Sequence, residues 1–148
     1  MLSITAEHAL RALSEMASLD DGESILGRDL AQVAGIPANY LSKLLLVLGN
    51  AGIIDATRGS GGGYRLRRKA TDLRLREVVD LFDHQKPERR CLLGGTKDCS
   101  EGDECDAHEE WHRVRASYVE FLGKTTLAQI THRRRVNVIL IGAPESPT

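Results

Sequence analysis

The 148-residue chain has little that would mark a membrane, secreted or disordered protein. It contains no apolar run of the roughly 18 residues that a membrane-spanning helix needs. Glu7 and His8 stand near its start, where a signal peptide would be apolar. Aromatic residues are scarce at 4%, but hydrophobic residues make up 41% and charged residues 28%, as in ordinary folded domains. We therefore expect a cytoplasmic protein with one folded core and no membrane partner.

Cysteine is also scarce, and its placement is informative. The three cysteines Cys91, Cys99 and Cys105 lie in one short stretch, followed by His108, so a metal or redox site is favoured over a disulfide scaffold. Iron–sulfur clusters require thiolate ligands, and a histidine can replace a cysteine on one iron. The same residues suit zinc, although structural zinc sites more often use closely spaced cysteine pairs. The residue types favour an iron–sulfur cluster and leave zinc as the alternative.

The net charge of −1 hides two segments of opposite sign. The basic segment, residues 58–69, contains no Asp or Glu. Its cations are Arg58, Arg65, Arg67, Arg68 and Lys69. The acidic segment, residues 98–110, contains Asp and Glu side chains but no Lys or Arg. The sequence therefore predicts two opposite charged surfaces that the average conceals.

Hydrophobic periodicity predicts three helices followed by a hairpin. The first helix runs from Glu7 towards the polar turn at Asp20, and the second covers residues 28–34. The third begins at Pro37 and places Leu41, Leu44, Leu45 and Leu48 on one face. Residues 53–68 resemble two strands around a glycine-rich turn, and residues 75–82 suit a fourth helix. This order predicts a winged helix-turn-helix, mainly α with a small β-hairpin.

In a winged helix-turn-helix the third helix enters the DNA major groove and the hairpin forms the wing. The candidate DNA-binding residues are Asn39, Tyr40, Ser42 and Lys43 in the helix, with Arg58, Ser60, Gly61 and Tyr64 in the wing. Asn39 or Ser42 alone is at least as well explained as a solvated position, and a basic hairpin also suits a protected edge strand. Their joint order favours DNA. The glycine-rich turn lacks the lysine of a nucleotide P-loop, so ATP binding is not expected.

The chain from His108 to about Thr131 is predicted to form one long helix. Its apolar positions recur in steps of three and four, as in a short coiled coil: Trp111, Val114, Tyr118, Phe121, Thr125 and Ala128. Such a seam predicts a homodimer. We therefore divide the chain into a winged helix-turn-helix domain (1–83), a cluster-binding loop (84–107), a long C-terminal dimerisation helix (108–131) and a tail (132–148).

Over residues 1 to about 131 the chain resembles the bacterial winged-helix iron–sulfur transcription regulators of the IscR and NsrR type. The resemblance rests on AEHALRAL near the start, IPANYLSKLL in the third helix, RGSGGGY in the wing, and the three cysteines with His108 and Trp111. Ser60 stands where such wings commonly have proline, and the interval from Cys91 to Cys99 is longer than in IscR.

The resemblance implies a homodimer that binds a palindromic operator in double-stranded DNA, with an affinity controlled by a cluster. In the IscR-like version, Cys91, Cys99, Cys105 and His108 hold a 2Fe-2S cluster. In the NsrR-like version the fourth ligand is Glu7 of the partner subunit, and a 4Fe-4S cluster is the alternative. Local sequence favours the simpler role for Glu7, an acid in the first turn that complements the helix dipole. The residues around His108 favour the 2Fe-2S version.

The expected function is transcription regulation in response to redox state, iron–sulfur status or nitric oxide. The alternatives are a zinc-stabilised DNA-binding regulator without a redox role and an iron–sulfur electron carrier. No cysteine stands in sequence with a recognisable base and orienting group, so we predict no catalytic residues and no enzyme activity.

Overall fold

The computed structural model describes residues 2–83, 92 and 105–132. Most of the predicted cluster-binding loop and nearly all of the predicted tail lie outside these residues. The helices are α1 (Ile4–Ala17), α2 (Gly27–Ala34), α3 (Ala38–Asn50), α4 (Leu75–Phe82), α5 (His108–Lys124) and α6 (Leu127–Ile130), and the strands are β1 (Ile54–Thr57) and β2 (Gly63–Leu66).

Helix α1 forms the centre of the core. Ser3 caps it, because the Ser3 hydroxyl oxygen accepts a hydrogen bond of 3.1 Å from the Ala6 N–H. One face of the helix is buried: Ala6, Ala9, Leu10, Ala12, Leu13 and Met16. Helices α2, α3, α4 and α6 and strand β2 all pack against α1. Its alanines let these neighbours approach closely, so α2, α3 and β2 are fixed to one central helix.

Helices α2 and α3 form the predicted helix-turn-helix. Gly35, Ile36 and Pro37 join them, and the chain turns by 109° between the two axes, within the range of this motif. The four predicted core leucines of α3 are buried. Within the part of the chain that the structure describes, no single helix has the length and hydropathy to cross a membrane; only the bent pair α2 and α3 meets that test jointly.

Strands β1 and β2 form the wing. They pair antiparallel, with Ile54 opposite Leu66 and Thr57 opposite Gly63. A bridge from Ile25 extends the sheet: the Ile25 N–H donates to the Tyr64 carbonyl at 2.9 Å, and the Tyr64 N–H donates back at 2.7 Å. The returning strand is therefore held from both sides, which fixes the base of the wing to the segment that precedes α2.

The C-terminal helix is shorter than predicted. Helix α5 ends at Lys124 and α6 begins at Leu127, so the prediction of one helix over residues 108–131 is wrong beyond residue 124. The break pairs with the segment before α4, because the Leu75 N–H donates to the Thr125 carbonyl at 3.0 Å and the Leu127 N–H donates to the Leu73 carbonyl at 2.8 Å. Leu127 is thereby completely buried. The rest of the predicted winged helix-turn-helix fold is confirmed.

Candidate nucleic-acid interface and cluster ligands

The outward face of α3 carries Asn39, Ser42 and Lys43, which are all exposed. The Ser42 hydroxyl donates to the Ala38 carbonyl at 3.0 Å. The Asn39 side-chain oxygen accepts from the Tyr40 N–H at 2.9 Å, which leaves the amide NH₂ group for an outside acceptor. Lys43 forms no ion pair with the described residues. This face therefore offers hydrogen-bond donors and a cation to a ligand outside the domain.

Tyr40, the fourth predicted DNA-binding residue of α3, contacts α1 instead of projecting with the other three. Its hydroxyl lies 2.6 Å from the Thr5 hydroxyl. Its ring meets the His8 ring edge to face, with 5.4 Å between the ring centroids. Tyr40 is half-buried at the margin of the core. These contacts fix the start of α3 against α1, a positioning role that local sequence does not indicate because Thr5 and His8 are distant along the chain.

The wing turn exposes Arg58, Ser60 and Gly61 together. It is tight, because the Gly62 N–H donates to the Gly59 carbonyl at 3.0 Å. A side chain at residue 62 would collide with the Thr57 carbonyl. The turn therefore presents one guanidinium, one hydroxyl and bare backbone, which suits a close approach to a phosphate backbone.

Tyr64 supports the wing from inside. It is half-buried and packs against the hydrophobic core. A Cβ added at Gly27 would lie 3.3 Å from its ring, so Gly27 leaves room for this tyrosine. The ring of Tyr64 thus belongs to the interior margin, and the candidate DNA contacts of the wing are Arg58, Ser60 and Gly61.

The basic segment divides into paired and available cations. Arg67 lies 3.5 Å from Asp55. Arg68 donates to Glu77 at 2.6 Å and to the Asp72 carbonyl at 2.9 Å, and its guanidinium lowers the pKa of Glu77. Among the described residues, the exposed cations Arg58, Arg65 and Lys69 form no ion pair. The positive surface that can meet a polyanion is therefore smaller than the basic segment indicates.

Two predicted cluster ligands are described. Cys105 is exposed, and the His108 N–H donates to the Cys105 carbonyl at 2.9 Å as α5 begins. A thiol and an imidazole thus lie within one turn, and both are soft or borderline donors of the kind that iron–sulfur clusters use. Cys91 and Cys99 lie outside the described residues. These donors fit the predicted cluster.

The alternative ligand Glu7 is exposed in the first turn of α1. Within residues 2–83, 92 and 105–132, no three His, Cys, Asp or Glu side chains form a metal-binding group. Glu7 of one subunit is therefore not assembled with Cys105 and His108 of the same subunit. A second histidine, His112, lies one turn beyond His108, with 4.3 Å between the ring centroids.

The predicted dimer seam is only partly present on one helix. Trp111, Val114, Tyr118 and Phe121 lie on α5, whereas Thr125 and Ala128 fall beyond its end. Val114 is 42% exposed and Phe121 52% exposed, and Leu122 is the one buried residue of α5. Tyr118 packs against the core, so the apolar residues of α5 that its own domain leaves exposed are Val114 and Phe121.

Comparison with known proteins places this fold and these residues in context. Residues 2–133 match the profile of the Rrf2 family, described as an iron-dependent transcriptional regulator. The chain is 29% identical to the HTH-type transcriptional regulator IscR of Photobacterium profundum, over 93% of this chain and 79% of that protein. It is 27% identical to IscR of Escherichia coli, over 91% and 82%.

Two solved structures share the fold. CymR, the global cysteine regulator of B. subtilis, superposes with a TM-score of 0.72 at 24% identity, over 88% of this chain and 95% of that one. IscR of T. potens superposes with a TM-score of 0.66 at 23% identity, over 86% and 83%. At these identities the structures support the architecture alone.

Proposed function

Because the chain belongs to the Rrf2 family of iron-dependent transcriptional regulators, we propose that it binds operator DNA as a homodimer whose affinity an iron–sulfur cluster controls. Its relatives are DNA-binding transcription regulators and not enzymes, in agreement with the predicted absence of catalytic activity. The observation that carries the proposal is that the polar face of α3 and the wing turn are both exposed. In a winged helix-turn-helix these two elements meet the duplex, so together they offer base-edge donors and phosphate-binding cations.

On this surface each group has a distinct task. The Asn39 amide NH₂ donates to base edges in the major groove, and the Ser42 oxygen, whose proton is directed to the Ala38 carbonyl, accepts from them. Lys43 and Arg58 meet phosphates, where charge supplies affinity without sequence preference. Ser60 and Gly61 let the wing backbone approach the duplex. Tyr40 and Tyr64 hold these groups in place from within the domain.

Helix α5 joins the two subunits. Its exposed apolar residues, Val114 and Phe121, become covered when a second copy of the helix packs against them. A C2 pair of helices presents two copies of α3, so the operator is an imperfect palindrome. Substitution of Phe121 by glutamate places a charge in this interface and is expected to yield monomers.

Cys91, Cys99, Cys105 and His108 hold the cluster at the start of α5, with Glu7 of the partner subunit as the alternative fourth ligand. When bound, the cluster supplies a centre that can change its charge or be lost on oxidation or nitrosylation. Because Cys105 and His108 share one turn, binding of both by one ligand fixes the direction in which α5 begins.

The other end of α5 is fixed to the DNA-binding domain. The Arg74 guanidinium donates to the Lys124 carbonyl at 2.6 Å, and the two backbone bonds at Thr125 and Leu127 lie directly beyond. A change in the direction of α5 is therefore passed to the segment at the start of α4, and so alters the spacing of the two copies of α3 in the dimer. The dimer can exist in two geometries that differ in operator affinity. The cluster changes the balance between them only if one cluster state binds one geometry better than the other.

Native mass spectrometry of anaerobically purified protein tests the dimer and the cluster together. We expect a dimer with two 2Fe-2S clusters, and loss of cluster mass in His108→Ala with the dimer retained. His112→Ala is the matched control, because it removes the neighbouring imidazole and leaves His108. A 4Fe-4S mass lost on Glu7→Ala would transfer the fourth ligand to Glu7.

Two outcomes would refute the proposed function. A zinc mass would support a zinc-stabilised regulator without a redox role. A cluster-loaded protein that selects no sequence from random double-stranded DNA, with or without its cluster, would support an electron carrier. Colour separates zinc from iron–sulfur in advance, since an iron–sulfur protein is brown or red and a zinc protein is colourless.

A further inference from the structure

We propose that Leu46 determines part of the operator sequence by contacting the C5-methyl group of a thymine in the major groove. The inference rests on the proposed DNA binding of α3 and adds a specificity-determining residue to it. Leu46 is 65% exposed, an unusual setting for a leucine in a helix whose other leucines are all buried.

The position of Leu46 on the helix supports this role. Asn39, Ser42, Lys43 and Leu46 stand at i, i+3, i+4 and i+7, so they form one strip along the outward face of α3. A recognition helix lying in the major groove presents base-contacting side chains with this spacing. From Asn39 to Leu46 the strip is roughly 10 Å long at about 1.5 Å per residue, and a major groove about 12 Å wide admits the helix that carries it.

The chemistry of the groove selects thymine. Base edges in the major groove display hydrogen-bond donors and acceptors, and the thymine C5-methyl is the apolar group among them. A leucine cannot donate or accept, so the favourable contact available to Leu46 within that groove is this methyl group. Lys43, one turn away on the same strip, supplies the phosphate contact that keeps this part of α3 close to the duplex.

Replacement of thymine by deoxyuridine provides the direct test, because it removes the methyl group and keeps Watson–Crick pairing. The full chain, with and without its cluster, is first used to select an operator from random DNA. Each thymine of that operator is then replaced in turn by deoxyuridine. We expect a loss of about fourfold in affinity at one thymine in each half-site, the effect of burying one methyl-sized group.

The variant Leu46→Ala links that loss to the residue. It should bind the thymine operator about fourfold or more weakly and be insensitive to deoxyuridine at the same position. Leu46→Met, which retains an apolar side chain, should keep the sensitivity. Val47→Ala is the matched control, because Val47 is a neighbouring exposed aliphatic residue (37%) that lies off the strip; it should respond to deoxyuridine as the unmodified protein does.

The outcomes separate this inference from the proposed function. If an operator is selected but every thymine responds equally in the unmodified protein and in Leu46→Ala, Leu46 does not contact a methyl group. If Leu46→Ala changes only the oligomeric state, the exposed leucine belongs to a protein interface and the inference is wrong. If no sequence is selected in either cluster state, the DNA-binding proposal and the inference fail together.

Discussion

Substitution of Gly63 by alanine should destabilise the protein more than the same substitution of Gly61 in the wing turn or of Gly49 in α3. Both of those glycines have open space around them, and Gly63 does not. Gly63 begins β2 with a φ of +138°, outside the small left-handed region that other residues tolerate. Its added Cβ would lie 2.5 Å from the Ile25 carbonyl oxygen. Ile25 cannot withdraw freely, because that same oxygen accepts the 2.7 Å hydrogen bond from the Tyr64 N–H.

The expected cost follows from these terms. Backbone strain contributes about 1–3 kcal/mol and crowding a further 1–3 kcal/mol or so, offset by about 0.4–1 kcal/mol from a less flexible unfolded chain. The free energy of unfolding should fall by roughly 1–5.5 kcal/mol, with about 3 kcal/mol at the centre of these terms, out of a total of about 5–15 kcal/mol. For a chain of this length that corresponds to a decrease in Tm of the order of 10 °C.

Two matched variants isolate the contact from the residue type. Gly61 has a φ of +74° with nothing within 4 Å of its added Cβ, so Gly61→Ala should cost only about 1 kcal/mol. Gly49 lies in α3 with open space around it, so Gly49→Ala should stabilise by about 0.5–1 kcal/mol. Urea unfolding followed by far-UV circular dichroism measures all three. Equal unfolding free energies for the Gly61 and Gly63 variants would refute the reasoning.

Three further predictions concern charge and assembly. Lys43→Ala should reduce the slope of log affinity against log salt concentration by about one per subunit. Arg67→Ala should leave that slope unchanged, because the Arg67 guanidinium already faces Asp55 at 3.5 Å. Equal slopes for the two variants would contradict the division into available and paired cations. Glu77→Gln should lower the unfolding free energy by less than about 1 kcal/mol near neutral pH, because the pair with Arg68 is exposed. The hydrogen bond from Arg68 lowers the pKa of Glu77 from 4.5. The contribution of the pair is therefore complete above about pH 5 and is lost as the pH falls through the lowered pKa. A difference in unfolding free energy between the two proteins that stays constant down to about pH 3 in urea titrations would disprove this. Phe121→Glu should give monomers in native mass spectrometry, and Arg113→Glu on the exposed polar side of α5 should not.

Local periodicity was sufficient to predict most of the fold. The buried face of α3 and the bounds of α4 follow from apolar residues three and four positions apart, and the turn of the wing follows from its glycines. The end of α5 could not be predicted in this way, because Thr125 and Ala128 continue the apolar spacing of the helix. The chain breaks there because backbone groups of Leu73 and Leu75 bond to it, and such nonlocal pairing leaves no trace in the spacing.

The candidate interface shows the same division. Exposure of Asn39, Ser42 and Lys43 follows from their position opposite the buried leucines, so the sequence alone identifies that face. The orientation of Tyr40 depends on Thr5 and His8 across the core, and the pairing of Arg68 depends on Glu77 in another element. From residue type alone, Tyr40 and Arg68 are expected to be available for DNA contacts. The structure shows that contacts with distant residues occupy them instead.

In the proposed dimer, different parts of the structure determine the spacing of the two half-sites and the bases preferred within each half-site. In the proposed dimer the distance between the two copies of α3 depends on how α5 pairs and on the bonds that fix Lys124, Thr125 and Leu127 beside α4. Base preference depends on the outward strip of α3, which none of these bonds touches. We therefore expect a change of cluster state to alter affinity for half-sites at a given spacing without changing the preferred bases. Substitution of Asn39 or Leu46 should do the reverse, because neither residue contacts the junction that sets the spacing.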